Sequence, residues 1–315
     1  MPLRASESVS HFDVMRAFSR CGVKVLWAAG QRHNIFLRPA FAITVPSLLS
    51  ISAFSLQYPL CSRTCSPSYF QLLVSKPLSQ ESQVHGDDNE YQHYGDPSFW
   101  DRTYAKESEP LEWYQSYSDF AQLLKRYIPT TSRVLMVGCG NAEISEDMVK
   151  DGYEDITNID NSAVVIDAMQ KKYQSVSQLK YETMDVLDMS PLDGDSFDSV
   201  IDKGTLDAIM CVVGGPYNVG LMMAEVFRVL KPGGVYMLIT TGNPESRFPL
   251  LNTKAFGWHV TLFIIPQPDA NMDPDVRLRA YAEPVKLNGD GIYANNFVLE
   301  NPDSLFVFVC KKPSA

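Results

Sequence analysis

The sequence predicts an α/β fold in which a mostly parallel sheet of seven strands is covered by helices on both faces. From Phe99 onward, short apolar runs alternate with amphipathic stretches, and strands that alternate with helices form parallel sheets. A Gly-x-Gly turn follows the first predicted strand, and an aspartate follows each of the next three strands. Because an open sheet of this kind binds ligands at the carboxyl ends of its strands, these residues mark the candidate site.

Seven strands are predicted, of which the first is a short apolar run rich in β-forming residues. They are predicted over Arg133–Val137, Ile156–Ile159, Leu179–Thr183, Phe197–Ile201, Val235–Thr240, Trp258–Ile264 and Leu305–Cys310. The helices between them are predicted over Ala142–Lys150, Ala163–Tyr173, Tyr217–Leu230 and Glu245–Ala255. Ser162 is a candidate N-cap for the second helix, Gly152 closes the first, and Pro232-Gly233-Gly234 ends the third.

The residues that follow the first three strands suit a nucleoside-containing cofactor. Gly138 and Gly140 allow a tight turn and a close approach of the backbone to a ligand. Asp160 lies 20 residues past Gly140, where a carboxylate binds a pair of ribose hydroxyls. Asp185 can accept a hydrogen bond from an exocyclic amine while Val186 packs on the purine face.

Glu143 separates two classes of cofactor. It occupies the position of the third glycine in the nicotinamide fingerprint G-x-G-x-x-G. A carboxylate at that point would repel a pyrophosphate, whereas S-adenosylmethionine has no phosphate and carries a sulfonium cation. The sequence therefore predicts S-adenosylmethionine as the cofactor, and a dehydrogenase is the distant alternative.

Residues from about 95 to 245 resemble the class I, or seven-strand, methyltransferase-like proteins that include the elongation factor 1A lysine methyltransferases and their plant relatives. The segment Asp202-Lys203-Gly204-Thr205-Leu206-Asp207-Ala208 is the most specific of the matching motifs. The other motifs are Phe99-Trp100-Asp101-Arg102-x-Tyr104, Glu112-Trp113-Tyr114, Val137-Gly138-Cys139-Gly140-Asn141, Asn158-Ile159-Asp160 and Met184-Asp185-Val186. The resemblance implies a Rossmann-like class I methyltransferase fold.

The resemblance also implies a role for each candidate residue. Trp100, Tyr104 and Trp113 resemble an amino-terminal lid over the cofactor. The implied cofactor contacts are Gly138 at the amino-acid part, Asp160 and Asn161 at the ribose, Asp185 and Val186 at the adenine, and Lys203 beside the methionine end, and Gly140 is a further cofactor-binding residue.

The residue types also allow purely structural roles at several of these positions. The three aromatic residues of the lid could be core packing, and Cys139 a small packing residue. Lys203 could form an ion pair with Asp202 or Asp207. Asp207 could also cap or brace the following helix.

The resemblance implies an enzyme that methylates a protein lysine, with a partner that offers a basic acceptor site. Two alternatives remain open, a small-molecule methyltransferase on the same fold and a non-catalytic scaffold that binds S-adenosylmethionine. Substrate contacts are expected from Trp258–Ala294, where the chain departs from the lysine enzymes. The sequence identifies no general base, and Asp202-Lys203-Gly204 stands where an adenine or glutamine methyltransferase carries Asn/Asp-Pro-Pro-aromatic.

Charge divides the chain into parts. Residues 1–80 carry eight Lys and Arg against two acidic residues, whereas the other 235 residues carry 19 against 35. A basic, Ser-rich extension is typical of a disordered or transit segment. We therefore predict such an extension over 1–80, an acidic linker over 81–96 and the S-adenosylmethionine-binding domain over 97–315.

Composition also bounds the partners and the location. A net charge of −10 argues against a nucleic-acid partner, and the apolar stretch Phe41–Leu60 is too diluted by proline and serine to predict a membrane span. Cys61 and Cys65 have no second pair to complete a zinc site, so no metal is predicted. The expected location is cytoplasmic, or the chloroplast or mitochondrion if residues 1–80 act as a transit peptide.

Overall fold

The computed structural model describes residues 92–107, 109–266, 280, 283–286 and 304–314. The predicted extension 1–80 and the first part of the predicted linker lie outside these residues. The end of that linker forms a 3-10 helix, Gln92–Gly95, and the Asp96 side chain then caps the first α-helix. The ordered domain therefore includes the last residues that composition assigns to the linker.

The seven predicted strands form one sheet with the order β3-β2-β1-β4-β5-β7-β6. Their bounds are β1 Arg133–Val137, β2 Asp155–Asp160, β3 Leu179–Thr183, β4 Phe197–Lys203, β5 Leu230–Thr240, β6 His259–Ile265 and β7 Leu305–Lys311. Neighbouring strands from β3 to β5 are parallel, while β7 runs antiparallel to both β5 and β6. This confirms a mostly parallel sheet, and the antiparallel β7 distinguishes it from the all-parallel dinucleotide-binding sheet of order 3-2-1-4-5-6.

The central strand β1 is apolar at each position from Val134 to Val137. Val134 and Met136 face one hydrophobic core, whereas Leu135 and Val137 face the other. Successive side chains of a strand point to opposite faces, so a strand covered on both faces is apolar at every position. All four side chains are buried.

Helices cover the sheet on both sides. Their bounds are α1 Pro97–Tyr104, α2 Tyr117–Tyr127, α3 Ile144–Lys150, α4 Ala163–Lys172, α5 Thr205–Met210, α6 Gly215–Val229 and α7 Pro244–Leu251. No helix of the described residues has the length and apolar character needed to cross a bilayer.

Several predicted boundaries are wrong by a few residues. The helix predicted from Ala142 begins at Ile144, because Glu143 is its N-cap. The helix predicted to end at Ala255 ends at Leu251. Strand β5 starts at Leu230 and not at Val235, since it already pairs with β4 there, across a register shift.

Candidate active site

One cavity lies at the carboxyl ends of β1 to β4, and every candidate residue named from the sequence lines it. These residues are Trp100, Tyr104, Trp113, Gly138, Gly140, Asp160, Asn161, Asp185, Val186 and Lys203. The sheet brings together those that follow strands, because parallel strands end at the same edge, whereas Trp100, Tyr104 and Trp113 come from the chain before β1. The sequence did not point to Tyr94, Leu111, Thr205, Ile209 and Val212, which also line the cavity.

The Gly-x-Gly turn has a backbone that only glycine adopts easily. Gly138 has φ of 58° and Gly140 has φ of 52°, the left-handed region that a Cβ disfavours. A Cβ at Gly138 would overlap the Thr205 side chain, and one at Gly140 would lie 2.7 Å from the Tyr104 hydroxyl. The turn therefore presents bare backbone to the cavity, as the close approach of a cofactor requires.

We expect Gly138→Ala to lower stability by about 1 to 3 kcal/mol and to weaken cofactor binding, because the new methyl group forces the turn and Thr205 apart. Thermal unfolding and calorimetric titration with S-adenosylmethionine measure the two effects. Gly220→Ala is the matched control, since Gly220 lies within α6 and its Cβ would meet open space. That variant should be neutral or slightly stabilised, and equal behaviour of the two variants would contradict the prediction.

Asp160 links the glycine turn to the start of α4. One carboxylate oxygen accepts the Gly140 N–H at 2.9 Å, and the other accepts the Ser162 N–H at 3.0 Å. Burial raises the pKa of this carboxyl, although the backbone donors oppose the shift. These donors fix the carboxylate of a residue that lines the cavity, an arrangement that fits a pair of ribose hydroxyls.

Asp185 and Val186 stand beyond the end of β3 in the arrangement that an adenine ring needs. Asp185 is exposed and one of its carboxylate oxygens accepts the Leu187 N–H at 2.9 Å, while Val186 is buried. A fixed acceptor thus lies next to an apolar surface. Asn161 is exposed directly after Asp160, at the position predicted for the ribose.

An aromatic wall, formed by Tyr94, Trp100, Tyr104 and Trp113, covers one side of the cavity. The Trp100 indole N–H donates to the Tyr94 carbonyl at 2.7 Å. The Trp100 ring stacks on Tyr104 at 5.8 Å and meets Trp113 edge-on at 5.6 Å, both between ring centroids. These rings therefore pack against one another, as the packing alternative predicts. They also line the cavity, as a lid over the cofactor would.

Residues 109–115, here called the strap, cross the cavity without regular secondary structure and are held at three strand ends. Past β1, Asn141 bonds the carbonyl of Glu109 and the N–H of Leu111, both at 2.9 Å. Further contacts reach Lys203 at the end of β4, Asp207 in α5 and the carbonyl of Pro266 just past β6. The strap thus places Leu111 and Trp113 in the cavity wall.

Lys203 belongs to the cavity wall, and its ammonium group points to the strap. It forms an ion pair with Glu112 and donates to the Trp113 carbonyl at 2.9 Å. The Gln115 carbonyl oxygen lies 3.5 Å away. Burial lowers the pKa of Lys203, and the Glu112 carboxylate opposes that shift.

The alternative of an ion pair between Lys203 and Asp202 or Asp207 is wrong. Asp202 accepts the Tyr236 hydroxyl at 2.9 Å, and Asp207 pairs with Arg247 at 2.8 Å. Asp207 was also expected to cap or brace the helix that follows it. It lies instead inside α5, where its carboxylate connects that helix to α7 through Arg247.

Asp202 is a fully buried carboxyl at the end of β4. It accepts the N–H groups of Thr205 and Leu206 at the start of α5. Burial raises its pKa from 3.8 to about 7. The native state therefore holds this proton more tightly than the unfolded chain, so the stability that the group contributes is full below about pH 4 and is lost as the pH rises through 7.

We expect Asp202→Asn to gain about 2 to 3 kcal/mol of stability relative to the native protein when the pH is raised from 5 to 8. The amide does not titrate, whereas the native carboxyl must ionise inside the core. Urea unfolding of both proteins at the two pH values measures the difference. Asp167→Asn makes the same change at an exposed position of α4 and is the control. If the two variants differ from the native protein by the same free energy of unfolding at both pH values, the raised pKa of Asp202 does not affect stability.

Glu143 does not lie where its carboxylate could repel a pyrophosphate in the cavity. Its carboxylate bonds the Lys172 ammonium at 2.9 Å on the protein surface, and it is not among the residues that line the cavity. The charge of Glu143 therefore does not exclude a nicotinamide cofactor.

The other residues singled out from the sequence are the cysteines and the predicted substrate segment. Cys139 lines the cavity as a buried thiol, and Cys61 and Cys65 lie outside the described residues. Within the described part of the chain, no three His, Cys, Asp or Glu side chains are grouped as a metal site. Most of the predicted substrate segment Trp258–Ala294 lies outside the described residues.

Comparison with known proteins places the chain among methyltransferases. Residues 135–238 match the sequence profile of a family described as a methyltransferase domain. EEF1A lysine methyltransferase 4 of Mus musculus is 35% identical over 175 residues, which cover 52% of this chain and 68% of that protein. The eEF1A lysine and N-terminal methyltransferase of Danio rerio is 37% identical over 171 residues, 54% of this chain and 24% of that protein. A solved SAM-dependent methyltransferase from Methanosarcina mazei aligns with 61% of this chain and 98% of its own, at 17% identity and a TM-score of 0.38.

The fold, the cavity and the methyltransferase-domain match define a class I methyltransferase that uses S-adenosylmethionine. The glycine turn and the oriented Asp160 carboxylate fit that cofactor, as shown above. More narrowly, the chain belongs to the methyltransferase family that contains EEF1A lysine methyltransferase 4.

Proposed function

We propose that this enzyme transfers the methyl group of S-adenosylmethionine to the side chain of a lysine in a protein. The observation that carries the proposal is the 35% identity with EEF1A lysine methyltransferase 4 across 175 residues. Those residues cover about two thirds of that relative. An elongation factor 1A is accordingly the first protein to test as the acceptor.

The proposed placement of the cofactor follows the strand ends. The amino-acid part lies on the glycine turn, the ribose at Asp160 and Asn161, and the adenine between Asp185 and Val186. The aromatic wall covers the cofactor and excludes water from it. When bound, S-adenosylmethionine supplies an activated methyl group, so the chain has mainly to align the acceptor with that group.

The charge of the domain supports a basic acceptor. Beyond residue 80 the chain carries 19 basic against 35 acidic residues, which attracts a lysine-rich surface. The acceptor lysine must lose a proton before it can attack, and a partly desolvated site lowers the pKa of an ammonium group. The apolar aromatic wall provides such surroundings.

The test is a transfer assay with S-adenosylmethionine labelled in its methyl group. Purified enzyme is incubated separately with elongation factor 1A, with a cell extract depleted of small molecules and with an undepleted extract, and labelled products, lysines among them, are identified by mass spectrometry. We expect protein-bound label on lysine. Label that appears only in small molecules from an undepleted extract would overturn the lysine proposal and favour a small-molecule methyltransferase.

A further inference from the structure

Lys203 is a cation buried in the wall of a site that receives another cation. Its side chain is 5% exposed, whereas that of its partner Glu112 is 31% exposed. A buried ammonium group is tolerated only when it is paired and hydrogen-bonded. Glu112 supplies the opposite charge, so the pair places no net positive charge beside the sulfonium of the cofactor.

The hydrogen bonds of Lys203 are directed at the strap. An ammonium group has three N–H donors. The acceptors within 3.5 Å are the Glu112 carboxylate and the carbonyls of Trp113 and Gln115. While the strap is in place, these acceptors occupy the donors that a ligand would otherwise use.

We infer that Lys203 is a positioning residue, which acts through Glu112 to hold the strap and the Trp113 ring in the wall of the cofactor cavity. This differs from the role beside the methionine end of the cofactor that the family resemblance implied. The inference rests on the cofactor placement proposed above and concerns what closes that site.

The aromatic contacts explain why this clamp matters for binding. The Trp113 carbonyl is held by Lys203, and the Trp113 ring meets Trp100 edge-on at 5.6 Å and Tyr94 edge-on at 6.1 Å. If the clamp is lost, one side of the aromatic wall loses its anchor. Cofactor affinity should fall, while the groups that align the methyl transfer stay in place.

The test compares Glu112→Gln, Lys203→Met and the double variant. We expect each single variant to weaken S-adenosylmethionine binding roughly 10- to 100-fold, the effect of losing a charge-assisted hydrogen bond. The double variant should be no weaker than the worse single variant, because both changes remove the same clamp. The KM for the cofactor should rise in proportion, while kcat stays within about threefold.

Glu107→Gln is the matched control, since Glu107 is exposed and precedes the strap. The inference is overturned if Glu112→Gln leaves cofactor binding unchanged or tightens it while Lys203→Met weakens it. That result would mean that Lys203, once released, is itself a cofactor ligand. Unchanged binding in both single variants, or losses that add in the double variant, would also overturn it.

Amide hydrogen exchange keeps the inference testable if Lys203→Met does not fold. Glu112→Gln should then exchange faster at residues 109–115, with thermal stability close to that of the native protein. Unchanged exchange there would contradict the clamp. If the native protein itself does not bind S-adenosylmethionine, the proposed cofactor site is wrong. If the native protein binds it and the variants bind it equally well, only the positioning role of Lys203 is wrong.

Discussion

Replacing Asp207 by asparagine is expected to destabilise the domain by about 3 to 5 kcal/mol, the typical cost of removing one partner from a buried ion pair. Asp207 and Arg247 are each 1% exposed, and their closest oxygen and nitrogen atoms lie 2.8 Å apart. The same carboxylate accepts the Tyr114 hydroxyl at 2.6 Å and bonds the Thr240 hydroxyl. The amide would leave the guanidinium of Arg247 buried without an opposite charge.

Thermal unfolding measures this effect, and a fall of about 10 °C in Tm is expected for a domain of this size. Asp167→Asn makes the same chemical change on an exposed face of α4 and should stay within about 0.5 kcal/mol of the native protein. Equal Tm values for the two variants would show that the buried pair contributes little to stability. A second readout is strap mobility, because Tyr114 loses its charged partner.

Asp160→Asn is expected to weaken S-adenosylmethionine binding roughly 10- to 100-fold, because hydrogen bonds from the ribose hydroxyls to a charged acceptor are replaced by neutral ones. The variant keeps the size of the side chain and one oxygen that can accept from Gly140 or Ser162. The fold should therefore survive.

Isothermal titration calorimetry measures the change directly, and Asp167→Asn again serves as the control. A dissociation constant equal to that of the control would remove Asp160 from the cofactor site. It would also weaken the placement of the ribose at the end of β2.

The residues at strand ends were predictable because the rule that locates them depends on short stretches of sequence. Gly138, Asp160 and Asp185 each follow a predicted strand, and the topology of an open parallel sheet places such residues at one edge. All of them line the cavity. The aromatic residues of the lid needed the family resemblance, since aromatic side chains at such spacing also occur in ordinary cores.

Contacts between distant parts of the chain were not predictable in this way. Glu112 and Lys203 are 91 residues apart, and Asp207 and Arg247 are 40 apart. Nothing in the local pattern selects one acidic partner among the many that the chain offers. The pairing follows from where the strap crosses the sheet, which is tertiary information.

Three helices of the described residues, α1, α2 and α5, were not predicted. Helix α1 starts with Asp96 as its N-cap and Pro97 at its first position, which is a sequence signal for a helix start. Helix α2 carries a sequence signal, a capping box in which Ser116 and Asp119 bond each other's backbone at its start. Helix α5 has six residues and follows β4 after Gly204, whose φ is 89°. A helix so short has little periodicity to detect.

The position of β7 in the sheet also bears on how the domain is assembled during synthesis. Strand β6 joins the sheet through β7, and β7 lies 40 residues later in the chain, since β6 ends at Ile265 and β7 begins at Leu305. On the ribosome, β6 therefore emerges before the strand that connects it to β5. Because its inner residues Leu262 and Phe263 are fully buried in the finished fold, the nascent chain exposes an apolar strand during that interval, and premature termination between the two strands would release a sheet whose β5 edge is uncovered.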